Sequence, residues 1–136
     1  MTKQELANRI INAIDENEWA VLKASAADLH VNDHNKNVLL GIKENASTYS
    51  GEVEDKDVDL LETEVYAFLK KVWSDQPQAH KYIVNACLAL TFLLEEPMHP
   101  QTSVNFKIVE KDGKKEYYCP AKQDSIICNF CVSKAL

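Results

Sequence analysis

Hydrophobic residues recur every three or four positions through residues 1–97, a spacing that predicts a series of amphipathic helices. The first helix begins at a capping box formed by Thr2 and Glu5, and Leu6 and Ile10 follow on one face. A polar run at residues 15–18 interrupts the pattern, which resumes at Trp19 in a different phase. We interpret this run as either the solvent side of one helix or a break between two.

Two further amphipathic helices are predicted in the middle of the chain. One runs from about Lys36 to Ala46, after a connection marked by Asn32 and Asp33, and Gly51 ends that region. An acidic stretch at 52–64 leads into the other, because carboxylates in a first turn are favoured by the helix dipole. Its apolar face is predicted to comprise Val58, Leu61, Val65, Phe68, Leu69 and Val72.

The most apolar stretch lies between Ile83 and Leu94. The helix that contains this stretch is predicted to begin after Pro77 and to stop at Pro97. A helix that is hydrophobic on all sides is either surrounded by other helices or shares a face with another subunit. We favour the surrounded arrangement. The alternative is a homo-oligomer through the helix from Ile83 to Leu94.

Beyond Pro100 the period changes from that of a helix to that of a strand. Val104, Phe106 and Ile108 alternate with polar residues, a turn at 112–113 reads Asp-Gly, and an aromatic pair follows at 117–118. The predicted fold is therefore mainly α: a bundle of four to five helices with a C-terminal β-hairpin and short helix forming a metal-stapled appendage. We expect one domain over 1–136, with a helical body at 1–97 and a tail at 98–136 docked on it.

Composition agrees with a compact helical protein. The chain has 136 residues, of which 46% are hydrophobic, and only three glycines and four prolines. It shows no secretory pattern after Met1, and its apolar stretch is too short to span a bilayer. We expect a cytoplasmic protein with reduced thiols and no membrane association.

The charges are distributed unevenly. Residues 1–97 hold nine basic and seventeen acidic side chains, a net charge of −8, whereas residues 98–136 hold six and four, a net charge of +2. Arg9 is the only arginine, so the chain has a single guanidinium group that could make bidentate contacts to bases or phosphates. The scarcity of arginine argues against nucleic-acid binding. We expect the basic tail to contact either an unknown protein partner or the acidic helices of its own chain.

Three cysteines near the C-terminus carry the strongest chemical signal. Cys128 and Cys131 form a Cys-x-x-Cys pair, and Cys119 stands before them at the exit of the predicted hairpin. Thiolates at this spacing can bind one ion, and an imidazole from His99 would complete a tetrahedral zinc site. Cys87 is the alternative fourth ligand, and His80 is a weaker third choice.

An iron-sulfur cluster is the rival occupant, because three cysteines can hold a cubane with one iron left open. The histidine pair His30 and His34 has the spacing of helical metal ligands, but we interpret it as a solvated turn. The sequence contains no phosphate-binding glycine loop, serine elbow or dinucleotide fingerprint.

We therefore predict a non-enzymatic, zinc-stabilised protein acting through protein contacts. The alternative is a metalloenzyme or electron carrier with a three-cysteine iron-sulfur or open zinc site.

Four short segments in the last third of the chain resemble an uncharacterised family of small proteins from methanogenic archaea. They are LLEEPMHP at 93–100, KIV at 107–109, YYCP at 117–120 and CNFCV at 128–132. The resemblance implies an archaeal, cytosolic setting and no established activity.

Overall fold

Local sequence signals set most of the helix boundaries in this computed structural model, which describes residues 1–24, 31–99, 107–111 and 113–118. Five α-helices lie in these residues: α1 Lys3–Asn12, α2 Glu16–Ala24, α3 Asp33–Asn45, α4 Asp55–Val72 and α5 His80–Leu88. Short 3₁₀ turns at Ala46–Thr48 and Pro77–Ala79 follow α3 and precede α5, respectively. The prediction of a mainly helical protein is confirmed in this part of the chain.

The predicted capping box at the first helix is present. Thr2 accepts a hydrogen bond from the backbone N–H of Glu5, and the Glu5 carboxylate accepts one from the backbone N–H of Thr2. The same segment bonds to the loop before α4, because the Lys3 N–H donates to the carbonyl of Gly51 and the Val53 N–H donates to that of Met1. Two parts of the chain about fifty residues apart are thus joined by main-chain hydrogen bonds.

The structure decides one boundary that the sequence left open and corrects another. The polar run at 15–18 is a break, and α2 begins within it, where Asp15 and Glu18 each accept a hydrogen bond from the other's backbone N–H. The third helix begins at Asp33 rather than about Lys36, because the Asn32 side chain accepts a hydrogen bond from the Asn35 N–H and so caps it. The Asn-Asp pair that was expected in a connection starts a helix instead.

The apolar helix α5 lies inside the bundle. It packs against α3 and α4, while the helical turn that follows it packs against α1 and α3. Of residues 83–94, only Ile83, Cys87 and Leu94 are partly exposed. The surrounded arrangement is confirmed. The fully buried large side chains are Leu6, Ile10, Leu22, Leu39, Ile42, Val58, Leu61, Val84, Leu88, Leu90 and Thr91.

The end of this helix differs from the expected stop at Pro97. After Leu88 the chain continues as a π-helical turn, Ala89–Leu94, and ends at Glu95 in the left-handed conformation, with φ of 53°. The backbone N–H groups of Glu95 and Glu96 both donate to the carbonyl of Leu90. Glycine usually occupies such a position because a Cβ atom is disfavoured there, so Glu95 holds a strained conformation.

Two short strands follow the helical body, within the stretch where the sequence alternates. Strand β1, Lys107–Lys111, pairs in antiparallel fashion with β2, Lys114–Tyr118, and Lys107 lies opposite Tyr118. Gly113 in the connecting turn has φ of 78°, a conformation that glycine adopts without strain.

None of the helices in the described residues combines the length and apolarity needed to cross a membrane.

Candidate functional site

The predicted metal ligands fall mostly beyond the part of the chain that can be described. Cys119, Cys128 and Cys131 lie outside the described residues. His99 is exposed and directly follows Met98, which is buried against the helical core. Within the described residues, no three His, Cys, Asp or Glu side chains are close enough together to hold a metal ion.

The two alternative metal ligands on the helical body, Cys87 and His80, pack against other residues of the core. Cys87 is half-buried on α5 and packs against the core. His80 is buried, and its Nε2 lies 2.6 Å from the carbonyl oxygen of Trp73. Both surroundings are those of packed core residues.

The pair His30 and His34 is separated by the boundary of the described residues. His30 lies outside them, and His34 is in the first turn of α3. The Nε2 atom of His34 is buried and has no hydrogen-bond partner among the residues that the structure describes. His34 therefore sits in a helix start rather than in the solvated turn we expected.

Helix α4 carries exposed apolar side chains on its outer surface. Leu60 is 39% exposed, Phe68 52% and Val72 58%. Val58, Leu61, Val65 and Leu69 form the buried face of the same helix, as the spacing predicts. Phe68 and Val72 were expected on that buried face, and the structure places them outside it.

A three-residue cluster joins α2 to α5. The Glu18 carboxylate accepts a hydrogen bond from Lys81 Nζ at 2.7 Å and another from the Tyr82 hydroxyl. The Glu18 side chain is only 18% exposed. Sequence reasoning placed this glutamate in a polar run and missed its partners, which lie 63 and 64 residues away.

The surroundings of this cluster shift two pKa values in opposite directions. Burial disfavours the charged form of Glu18, but the hydrogen bonds from Lys81 and Tyr82 outweigh it and lower the pKa of the carboxyl to about 2. Burial and the bond to Glu18 raise the pKa of the Tyr82 hydroxyl above its ordinary value. Glu18 is therefore a carboxylate and Tyr82 a neutral donor at neutral pH, an arrangement suited to linking two helices.

A cavity of about 170 Å³ opens where three segments meet: the start of α1, the loop before α4 and the π-helical turn. Val53 and Phe92 contribute its apolar lining. Its charged and polar lining comprises Lys3, Glu52, Glu54, Asp57, Thr91 and Glu95. Lys3 Nζ lies 3.5 Å from Glu95 Oε1, so an ion pair connects two sides of the cavity.

Thr91 is the unusual residue of this lining. It is 1% exposed, and its hydroxyl oxygen has no hydrogen-bond partner among the described residues. A buried hydroxyl without a partner costs about 1–3 kcal/mol, so most such groups are paired. The neighbouring Glu95 adds a strained backbone, and π-helical turns often occur at functional sites. Neither Thr91 nor Glu95 was predicted to be a site residue from the sequence.

The chain matches a known protein family over almost its whole length. The sequence model of a family described as "Uncharacterized protein conserved in archaea (DUF2115)" matches residues 3–136. No curated protein matches the chain, and no solved structure does.

Proposed function

This chain belongs to the archaeal family DUF2115, and from that premise we propose that it is a non-enzymatic protein that acts through protein contacts. Its helical body pairs with a second copy of the chain, and its tail is held by zinc. The observation that carries the contact function is the set of three exposed apolar side chains on α4, Leu60, Phe68 and Val72, which we call the α4 row. Single exposed hydrophobic residues are common on protein surfaces, but Phe68 and Val72 are four residues apart and therefore neighbours on the helix, and contiguous apolar patches mark interaction surfaces.

The charges of α4 select the partner. Asp55, Asp57 and Asp59 lie in its first part, where Asp55 also pairs with the Met1 ammonium and Asp59 lies 3.8 Å from the Arg9 guanidinium, and Lys70 and Lys71 lie in its last turn. In an antiparallel pair of α4 helices, the acidic start of each helix faces the basic end of the other, whereas a parallel pair would oppose like charges. A second copy of this chain in a two-fold symmetric arrangement therefore satisfies both the α4 row and the charges.

The size of the surface indicates a transient dimer. An 18-residue helix is about 27 Å long, and one helix face buries less than the roughly 800 Å² per partner of a standard interface. We expect a Kd on the order of micromolar or weaker. The stretch from Ile83 to Leu94 offers a second copy little surface, since nine of its twelve residues are buried.

Replacing Phe68 with lysine is expected to abolish this pairing, because it places a charge at the most apolar part of the α4 row. Sedimentation velocity over a range of protein concentrations measures the dimer fraction. Asn37→Lys adds the same charge at an exposed position of α3 and is expected to leave the dimer fraction unchanged.

A charge exchange tests the antiparallel arrangement. Asp59→Lys should weaken self-association, and mixing it with the Lys70→Asp, Lys71→Asp protein should restore pairing as a heterodimer. A wild-type chain that stays monomeric at every concentration contradicts the proposal. If Phe68→Lys then lowers the unfolding midpoint of that monomer, the α4 row is covered by another segment of the same chain.

The zinc proposal rests on the donor set and on the connections along the chain. Three thiols and one imidazole, from Cys119, Cys128, Cys131 and His99, make a complete tetrahedral set. The antiparallel register of β1 and β2 supports it, because the strand that leads into Cys119 returns alongside Lys107, eight residues after His99. A filled coordination shell leaves no position for a substrate, which makes the role structural.

Metal analysis of protein purified without added metal is expected to give about one equivalent of zinc in a colourless preparation. Cys119→Ser and His99→Ala should each lower the zinc content and the unfolding midpoint. Cys87→Ser is the matched control and should retain the metal. Less than about half an equivalent, with folding unaffected by a chelator, contradicts the proposal. A brown anaerobic preparation with broad visible absorption would instead assign an iron-sulfur cluster.

A further inference from the structure

One face of α4 carries apolar residues of the α4 row together with three charged residues spaced by seven, Asp57, Glu64 and Lys71. Successive residues of an α-helix are about 100° apart, so residues separated by seven lie within about 20° of one another around the helix axis. Leu60 and Phe68 are each four residues from Glu64 and lie about 40° to either side of it. Glu64 is therefore at the centre of this face.

The residues of this face are accessible to a partner. Leu60 is 39% exposed and Phe68 52%. Lys71 is exposed, while Asp57 and Glu64 are partly exposed. A second α4 helix laid against this face would meet apolar and charged side chains together.

The order of the charges distinguishes the ways in which two such helices can pair. In a parallel pair each residue faces its own copy, so Asp57, Glu64 and Lys71 would all oppose like charges. In an antiparallel pair with a two-fold axis at Glu64, residues equally far from Glu64 face each other. Asp57 then meets Lys71 of the second copy, and Leu60 meets Phe68 of the second copy. The same register therefore forms both the ion pairs and the apolar contacts.

The axis itself opposes one pair of like charges, because each Glu64 carboxylate faces its own copy across it. Packed helices lie about 8–10 Å apart, so the two carboxylates approach closely enough to repel each other. Since Glu64 is only partly buried, water screens part of this repulsion. The result is a dimer that is weaker than its apolar contacts and ion pairs alone would make it.

We infer that the proposed dimer pairs its α4 helices about a two-fold axis at Glu64, with Leu60 against Phe68 and Asp57 against Lys71 of the second copy. Glu64 limits the affinity of this pairing. The inference rests on the proposed function, because it assigns the register of that same contact and the residue that sets its strength.

Replacing Glu64 with glutamine is expected to strengthen the dimer by roughly fivefold, because it removes the repulsion and keeps the shape of the side chain. Sedimentation velocity over a range of protein concentrations measures the change in Kd. Glu44→Gln makes the same change at an exposed position of α3 and should leave the Kd as it is in the wild type.

The two neighbouring lysines test the register directly. Lys70 and Lys71 are both exposed, but their directions around the helix differ by about 100°. Lys71→Glu places a carboxylate opposite Asp57 of the second copy and should weaken the dimer at least about tenfold. Lys70→Glu makes the same change of charge away from the contact and should weaken it by less than about threefold.

Equal effects of the two lysine variants, or a dimer that Glu64→Gln does not strengthen, would overturn this register while the proposed dimer stands. If the wild type and Glu64→Gln both stay monomeric at every concentration, the proposed contact fails and the register fails with it.

Discussion

Replacing Leu88 with alanine is expected to reduce the free energy of unfolding by about 3–4 kcal/mol. Leu88 is fully buried on α5, the helix that packs against both α3 and α4. The substitution removes apolar contacts and leaves a cavity that helices on several sides cannot easily close. Because domains of this kind are stable by only about 5–15 kcal/mol, the loss is a large part of the total. Urea unfolding monitored by circular dichroism measures it as a shift in midpoint at constant slope.

The matched control is the same substitution at Leu60, which is 39% exposed on α4. At protein concentrations low enough to exclude dimers, Leu60→Ala should change the free energy of unfolding by less than about 1 kcal/mol. Similar losses for the two variants would mean that α5 does not form the centre of the core.

Replacing Glu18 with glutamine is expected to reduce the free energy of unfolding by about 2 kcal/mol at pH 7, because hydrogen bonds to a charged group are stronger than neutral ones. The carboxylate accepts from Lys81 and Tyr82 on α5, so the variant weakens the link between α2 and α5. Urea unfolding at fixed pH measures the difference. Glu44→Gln, the same change at an exposed position of α3, should stay within about 0.5 kcal/mol of the wild type.

The difference should also depend on pH in a defined direction. Folding lowers the pKa of Glu18 from 4.5 to about 2. Its contribution to stability is therefore complete above the unfolded-state pKa and is lost as the pH falls from about 4.5 towards 2. Wild type and Glu18→Gln should converge in stability over that range. A difference that stays constant from pH 7 to pH 2 would show that the charge of Glu18 does not stabilise the fold.

Helix positions were predictable where neighbouring residues determine them. The Thr2 and Glu5 capping box marks the start of α1 in both sequence and structure. The four-residue spacing of Leu61, Val65 and Leu69 identified residues that are buried on α4. Both signals act within about one helical turn, so they are visible in a short stretch of sequence.

Prediction was less accurate at the edges of the same patterns. Phe68 and Val72 are apolar and lie next to the buried face of α4, yet each is more than half exposed. Periodicity identifies the centre of an apolar face, while its width depends on which helices pack against it. The left-handed conformation of Glu95 was also unexpected, because the stop signal at Pro97 lies two residues further on.

The sequence also indicated membership of an archaeal protein family. The resemblance of the last third of the chain to uncharacterised methanogen proteins is confirmed at the level of an uncharacterised archaeal family, whose match spans residues 3–136. The methanogenic setting, the zinc ligands Cys119, Cys128, Cys131 and His99, and the docking of the tail stay predictions.

By itself, the sequence determined the helical class and most helix positions, because those follow from spacing, caps and hydrophobicity, and it favoured the burial of the helix between Ile83 and Leu94 that the structure shows. Only the tertiary structure decided that Glu18 meets Tyr82, that Lys3 meets Glu95 across 92 residues of chain, and that Thr91 lines a cavity. These contacts join helices that are distant in sequence. Their geometry depends on how whole helices pack, and no local pattern records it.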